Sequence, residues 1–482
     1  MNDATRIACP LRSAARRSPD APALVGAGVS LTYGDLDRRV SASVTRIRGL
    51  GLGVGDRVAL YLPKSERYFV LLLALVRAGC VASLLSTRLP ARGAAPLPER
   101  TGCRALVSTS EEALEAATVW TLRPQDLLAG EAASGLSQPL EELWTRRDQP
   151  STVVFTSGSA GAPKAALHTF GNHYLSASGS NANISLDPGD HWLHSLPLYH
   201  VGGLSILFRC LLAGATVALP EPGVPLAEAI AQSGATHVSL VSTQLLRLLR
   251  EEEFVGTGLK AILLGGGPMP VSLVEEAHAR GLPIHTSYGL TEMASQVTTT
   301  PPGASPRELR TSGRPLPHRE VAISGEGEIL VRGETLFAGY VEGDAVDRPL
   351  DADGWFRTGD LGELDANGYL NVRGRRDNLF VSGGENIQPE EVEDVLCRLE
   401  GVEEAVVVPV PDVEFGYRPV AFVRTRSGIV EGETLARALV NVLPRFKVPI
   451  SFHAWPDEEW GGGMKVDRAT LRERAHRLRR AG

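Results

Sequence analysis

Hydrophobic and polar positions in the first 150 residues alternate between two periods. Arg57-Val-Ala-Leu-Tyr-Leu62 is an apolar run of strand length, and Glu66 to Ala78 carries apolar residues over a broad helical face. Gly79 to Leu85 returns to a strand pattern. Strand, helix and strand in that order predict parallel sheets covered by helices. Ser151-Thr-Val-Val-Phe155 predicts another strand, and Thr236 to Val241 and Ala261 to Leu264 predict two buried ones. Further helices are expected from Gly171-Asn-His173 to near Asn183, and from Leu204 to Leu212. Residues 86–150, rich in Ala, Pro and Glu, carry no chemistry and are expected to pack. Late in the chain the pattern changes: a helix over Pro389 to Leu399, then strands over Val406 to Pro409 and Pro419 to Val423. The fold class is therefore α/β, with a large N-terminal domain of parallel-rich sheets and a small α+β C-terminal unit.

A chain of 482 residues is long enough for about three domain-sized units with a large core. Its net charge of −7 argues against nucleic-acid binding, so the arginine-rich ends (Arg16-Arg17 and Arg472 to Arg480) are solvated helix faces. Five scattered cysteines without a Cys-x-x-Cys pair fit free thiols in a reducing cytoplasm, not a disulfide framework or zinc site. No signal-peptide pattern opens the chain, and its longest apolar run, Tyr68 to Val76, cannot cross a bilayer. A cytoplasmic protein without membrane insertion is expected.

Chemistry enters at Thr156-Ser-Gly-Ser-Ala-Gly-Ala-Pro-Lys164. Gly158 and Gly161 let the backbone turn its amides towards an anion; Thr156, Ser157 and Ser159 add hydroxyl donors, and Lys164 a positive charge. Such a loop suits a polyphosphate. It is not a Walker A loop, because two residues separate the glycines and Ala165 stands where a Mg²⁺-binding hydroxyl would be. Gly265-Gly-Gly267 follows a predicted strand, where side-chain-free backbone could flank a flat ligand. Arg209 sits among Ile206, Leu207, Phe208 and Leu211, one helical turn after Ser205. If buried, it needs an anion, either a protein carboxylate such as Asp190 or Glu228, or a carboxylate on the substrate.

The nonapeptide closely resembles the phosphate loop of the acyl-adenylate-forming enzymes: acyl- and aryl-CoA ligases, luciferases and peptide-synthetase adenylation domains. Further motifs of that family follow in order along nearly the whole chain. In Tyr288-Gly-Leu-Thr-Glu292 the resemblance implies an adenine-stacking Tyr288, an α-phosphate contact from Thr291 and a Mg²⁺ ligand in Glu292. It implies that Asp360 and Arg375 bind the ribose, and that Asp377 is the hinge between an AMP-binding domain (1–376) and a mobile C-terminal cap (377–482). Ser382-Gly-Gly-Glu385, with Gly383 and Gly384, resembles the pantetheine-tunnel loop. Gly461-Gly-Gly-Met-Lys465 resembles the loop of the adenylation lysine, with Gly-Met-Lys where Ser-Gly-Lys is usual, so Lys465 takes that role. Trp192 to His200 resembles the loop that borders the acyl pocket, which places His200, Ser205 and Arg209 at the acid.

Within the family, Trp192 to Arg209 and Ser287 to Thr299, with Ser295-Gln296, are most similar to the o-succinylbenzoate–CoA ligases of menaquinone biosynthesis. The implied activity joins a carboxylic acid to CoA through an acyl-adenylate, with ATP, Mg²⁺ and coenzyme A; Ser295 joins the substrate residues. Rival readings are another aryl- or fatty-acid–CoA ligase and a stand-alone enzyme loading a carrier protein. A non-catalytic adenylate-binding protein is the remaining class. A homodimer is compatible with this reading.

Overall fold

The computed structural model describes residues 5–128, 142–156, 163–251, 254–256, 258–456 and 468–481. Two large sheets dominate the N-terminal part. The first has eight strands, in the order Ala345–Asp347, Gly339–Glu342, Lys164–Thr169, Pro150–Thr156, Val81–Leu84, Arg57–Tyr61, Cys103–Ser108 and Trp120–Leu122. Its strands from Pro150–Thr156 to Trp120–Leu122 run parallel to one another. The connection between Arg57–Tyr61 and Val81–Leu84 is the Glu66–Ala78 helix, as the pattern predicts. That helix is apolar on nearly every side because it lies between layers, with Phe69, Leu71 and Leu75 at 0% exposure. Each such side chain contributes about 1.5–3 kcal/mol relative to leaving it in water.

The second sheet has nine strands: Arg314–Pro315, Ser295–Thr299, Ile284–Leu290, Ala261–Leu264, His237–Leu240, His191–Leu193, Thr216–Ala218, Pro22–Gly26 and Val29–Thr32. Its five central strands and Pro22–Gly26 are parallel, and Ala261–Leu264 among them, buried at every position, reads as a continuous apolar run. The helices Phe170–Asn183 and Val201–Ala213 pack on each other. Residues 86–150, expected only to pack, also supply Cys103–Ser108, a fully paired strand inside the first sheet.

A four-stranded antiparallel sheet (Arg319–Ile323, Glu328–Gly333, Phe356–Leu364, Leu370–Arg375) leads to the smaller C-terminal domain. There the long hairpin Val402–Asp412 and Gly416–Thr425 packs against the helix Pro389–Cys397 around Val392, Leu396, Val407 and Ala421. This α/β architecture with a smaller C-terminal domain matches the expectation from sequence.

Candidate active site

Strand ends create the site. Ala261–Leu264 and Ile284–Leu290 are parallel neighbours, so their carboxyl ends emerge side by side. Gly265 follows the first: a Cβ there would come within 2.6 Å of the Ser287 hydroxyl, so only glycine lets the two strands close up. Gly266 has φ +84° and Gly267 meets no neighbour, which leaves an open backbone shelf beside Tyr288. A cavity of about 300 Å³ lined by Asp187, His237, Lys260 and His285 opens at the other, amino ends of these strands, away from the shelf.

Tyr288 is buried, and its hydroxyl donates to Asp360 Oδ2 at 2.6 Å. Burial and the Asp360 charge push the phenol's pKa well up, so it stays a neutral donor. The other carboxylate oxygen of Asp360 takes Arg375 Nη1 at 3.0 Å, and Arg375 also donates to the Thr358 carbonyl at 3.1 Å. Asp360 and Arg375 face each other across adjacent strands. The trio leaves a carboxylate and a guanidinium at the rim of an aromatic residue, which suits a ribose below a base.

Strand Ile284–Leu290 ends in the 3₁₀ turn Thr291–Met293, and the chain reverses into Ser295–Thr299. This reversal is pinned from several sides. His168 Nε2–H donates to the Thr291 carbonyl at 2.7 Å, Phe337 N to the Glu292 carbonyl at 2.7 Å, and Ser176 Oγ to the Ala294 carbonyl at 3.0 Å. The Glu292 carboxylate accepts from the Tyr340 hydroxyl at 2.6 Å, and Lys164 Nζ lies 4.9 Å from the centre of the Tyr340 ring. Thr156 and Lys164 pair across the antiparallel hairpin Pro150–Thr156 and Lys164–Thr169. Thr156 and Lys164 thus stand side by side at neighbouring strand ends, and Lys164 shares Tyr340 with Glu292. Ser157, Gly158, Ser159 and Gly161 lie outside the described residues, as does Lys465.

A second group lies behind the turn. His200 caps the helix Val201–Ala213, half-buried with its ring 4.9 Å from that of Tyr199. One turn on, Ser205 accepts from Ser295 Oγ at 3.3 Å. Arg209 is 1% exposed. Its Nη2 donates to Gln296 Oε1 at 2.6 Å and Ser295 Oγ at 3.3 Å, and the guanidinium lies 4.9 Å from the Trp192 ring centre. Among the described residues Nε and Nη1 have no hydrogen-bond partner. The carboxylates proposed from sequence are engaged elsewhere, Asp190 with Lys260 at 2.7 Å and Glu228 with Gln232 at 2.8 Å. Burial lowers the guanidinium's pKa. The structure thus brings Ser205, Arg209 and Ser295 together beyond the Thr291–Glu292 turn, while His200 stands at the start of the same helix.

The remaining residues belong to the C-terminal side. Gly383 and Gly384 form the turn of a hairpin, with positive φ at both, and Gly383 N donates to the Phe415 carbonyl at 2.9 Å within the same domain. Asp377 lies in an exposed turn between differently anchored neighbours. Arg376 pairs with Glu328 of the N-terminal part at 3.2 Å, and Asn378 donates to Glu390 of the C-terminal helix at 2.5 Å. Sequence reasoning passed over Tyr340, His168 and Arg319, and named Gln296 beside Ser295 only as part of the resemblance, without a role.

A family model described as "AMP-binding enzyme" matches residues 11–341, and one described as "AMP-binding enzyme C-terminal domain" matches residues 391–458. This chain belongs to the AMP-binding enzyme family. Among its relatives, the 2-succinylbenzoate–CoA ligase of Salmonella typhimurium is 38% identical over 456 residues, covering 94% of each chain. The o-succinylbenzoate CoA synthetase of Bacillus subtilis, solved with the acyl-adenylate intermediate OSB-AMP, superposes with a TM-score of 0.86 at 31% identity, covering 97% of this chain and 98% of that one. The same enzyme solved with ATP and magnesium ion has a TM-score of 0.85, covering 97% and 100%.

Proposed function

We propose that this protein is an ATP-dependent carboxylic acid–CoA ligase that converts o-succinylbenzoate, ATP and CoA to o-succinylbenzoyl-CoA, AMP and pyrophosphate through an acyl-adenylate. The observation that carries the choice of acid is Arg209: a buried guanidinium that, among the described residues, has two nitrogens without a hydrogen-bond partner and no carboxylate paired with it. A buried charge of that kind is costly unless an anion joins it. A substrate with two carboxylates supplies one, because one end reacts and the other meets the arginine.

In this reading the acid lies against the Val201–Ala213 helix, with Ser205 and Ser295 beside Arg209, and His200 bounds the pocket. ATP lies across the Gly265–Gly267 shelf, with its base against Tyr288 and its ribose on Asp360 and Arg375. The phosphates meet Thr156, the loop to Lys164, and the Thr291 hydroxyl. Among the described residues no group of three or more His, Cys, Asp or Glu side chains could hold a metal. One carboxylate plus phosphate oxygens is nevertheless how Mg²⁺ is commonly bound, and Glu292 fits as that ligand. When bound, Mg²⁺ neutralises phosphate charge. A carboxylate needs no general base to attack the α-phosphorus; the barrier is the meeting of two anions. Lys164, the loop amides and Lys465 lower that repulsion and stabilise the charge of the in-line transition state.

The thiol of CoA then attacks the acyl-adenylate carbonyl, and AMP leaves. Water would compete, so the site must exclude it while the second substrate enters. The anchoring of Arg376 to one domain and Asn378 to the other supports Asp377 as the hinge between residues 1–376 and a mobile cap, 377–482. Cap rotation would exchange Lys465 for the Gly383–Gly384 turn. All five cysteines are free and buried, and no described helix is long and apolar enough to cross a membrane; both support a cytoplasmic location.

The test is acid-dependent ATP–pyrophosphate exchange, followed by thioester formation with CoA or a phosphopantetheinyl carrier. The wild type is expected to prefer o-succinylbenzoate over a 4-aryl-4-oxobutanoate monoacid by about a hundredfold in kcat/KM, and Arg209→Ala to erase most of that ratio. An unaltered ratio would remove the support for a diacid.

A further inference from the structure

Arg209 is not the only uncompensated charge behind the acid pocket. Arg319 begins the strand Arg319–Ile323 and is 6% exposed. Its guanidinium is gripped by main-chain carbonyls alone: those of Pro317 (3.1 Å), Ser176 (3.2 Å), Leu175 (3.5 Å) and Gln296. The helix Phe170–Asn183 has Gly179 where the guanidinium passes; a Cβ there would stand 2.7 Å from Nη2, so the channel depends on glycine. Among the described residues, no acidic side chain forms an ion pair with Arg209 or Arg319.

Both guanidiniums converge on Gln296. Arg319 takes its main-chain carbonyl and Arg209 its side-chain Oε1, while Gln296 Nε2 donates to Thr299 Oγ1 at 2.6 Å. Carbonyl dipoles solvate a cation but do not cancel its charge. Two like charges in a dry interior also repel, so each makes the other costlier to hold. Burial, and then the Arg209 charge, push the Arg319 pKa down to about 9. A protein that keeps both without a counter-ion has a pocket wall whose positive field is left for a ligand to neutralise.

We propose that Arg319 is a specificity-determining residue that never touches the substrate: with Arg209, it forms a buried dicationic wall, joined through Gln296, whose missing counter-ion is the non-reacting carboxylate of the acid. The proposal rests on the diacid reading above and adds a second charge to it. Arg209 supplies the contact. Arg319 supplies field through a low-dielectric medium and is too tightly held by carbonyls to move towards the ligand.

The test compares o-succinylbenzoate with the same acid carrying a neutral methyl ester at the non-reacting carboxylate. General structural damage lowers turnover of both substrates, so the ratio of their kcat/KM values isolates charge. Arg319→Gln, which retains donors and removes the charge, is expected to lower that ratio by about threefold to tenfold, while Arg319→Lys keeps most of it. The KM for ATP should not change in either variant. Gln296→Glu is a second arm, because it places a carboxylate between the two guanidiniums. It is expected to raise the melting temperature of the unliganded protein and to cut the diacid preference by at least about tenfold. An unchanged ratio in Arg319→Gln, or the same fall in Gln and Lys variants, overturns the proposal, as does a Gln296→Glu protein that is destabilised with its preference intact. If Arg209→Ala leaves the ratio unaltered, the diacid reading itself fails; if Arg209→Ala collapses the ratio and Arg319→Gln does not, only the role of Arg319 fails.

Discussion

Acid should loosen this protein through histidines that the fold keeps neutral, and His168 makes the prediction quantitative. Its ring is fully buried behind the Thr291–Glu292 turn, 5.1 Å from the His173 ring, with Nε2–H on the Thr291 carbonyl. Burial lowers its pKa from 6.5 to about 4, against a smaller opposing effect of the carbonyls of Thr291 and Ala166. Because the folded value is depressed, the unfolded chain binds more protons between those two values. The stability is whole above about pH 6.5 and drains as the pH falls towards 4. At pH 5 the linkage amounts to about 2 kcal/mol for this one ring. His194, also fully buried and lowered to about 3, adds a similar loss. In His168→Gln the amide nitrogen can replace Nε2–H on Thr291, but nothing titrates. Urea unfolding at pH 8 and pH 5 should therefore show the wild type losing about 2 kcal/mol more than the variant over that interval. Adenylation at pH 8 should survive in His168→Gln and fall in His168→Leu, which lacks the donor. Identical pH dependence in wild type and His168→Gln would refute a neutral, buried His168.

Two further outcomes follow from the nucleotide side. Glu292→Gln keeps size and the Tyr340 contact but loses the charge, and should slow Mg²⁺-dependent adenylation at least tenfold, about 1.4 kcal/mol of transition-state stabilisation, measured by pyrophosphate exchange at limiting Mg²⁺. Tyr288→Phe retains the ring face and removes the donor to Asp360; because that carboxylate is already 13% exposed and also held by Arg375, the KM for ATP should rise only about fivefold to tenfold. An unchanged KM would mean that the hydroxyl does not orient Asp360 for the ribose.

The parts of this molecule that were legible in its sequence are those whose chemistry lies within a few consecutive residues. A buried parallel strand advertises itself as an apolar run, so Ala261–Leu264 and the Glu66–Ala78 helix were placed to the residue. Tyr288, Thr291 and Glu292 are close in sequence, and one strand end with its following turn carries all three. Cys103–Ser108 was missed because Arg104 interrupts its apolar run; that side chain is exposed and reaches Asp56 at 3.0 Å.

What sequence could not show is which distant residue completes each local group. The partner of Glu292 is Tyr340, on a strand of the other large sheet, and the support of Thr291 is His168, at the far end of the phosphate-loop hairpin. Arg319 is the sharpest case. Nothing in Pro317-His-Arg-Glu320 marks it as buried, and its neighbour Glu320 is a surface charge, pairing with Arg332 at 2.7 Å on the outside of the sheet. Only the strand's alternation, with Arg319 turned inward against Gly179 and Glu320 outward, separates a surface charge from a buried one. Arg209, by contrast, announced itself by standing in an apolar helix, and the question it raised was what neutralises it. On the proposed diacid reading a substrate carboxylate does so, and among the described residues Asp190 and Glu228 are occupied elsewhere, Gln296 is neutral, and the nearby charge is another cation. Two guanidiniums sharing a glutamine are a poor way to stabilise an empty protein, and on the proposed reading they are a sound way to select a dianion.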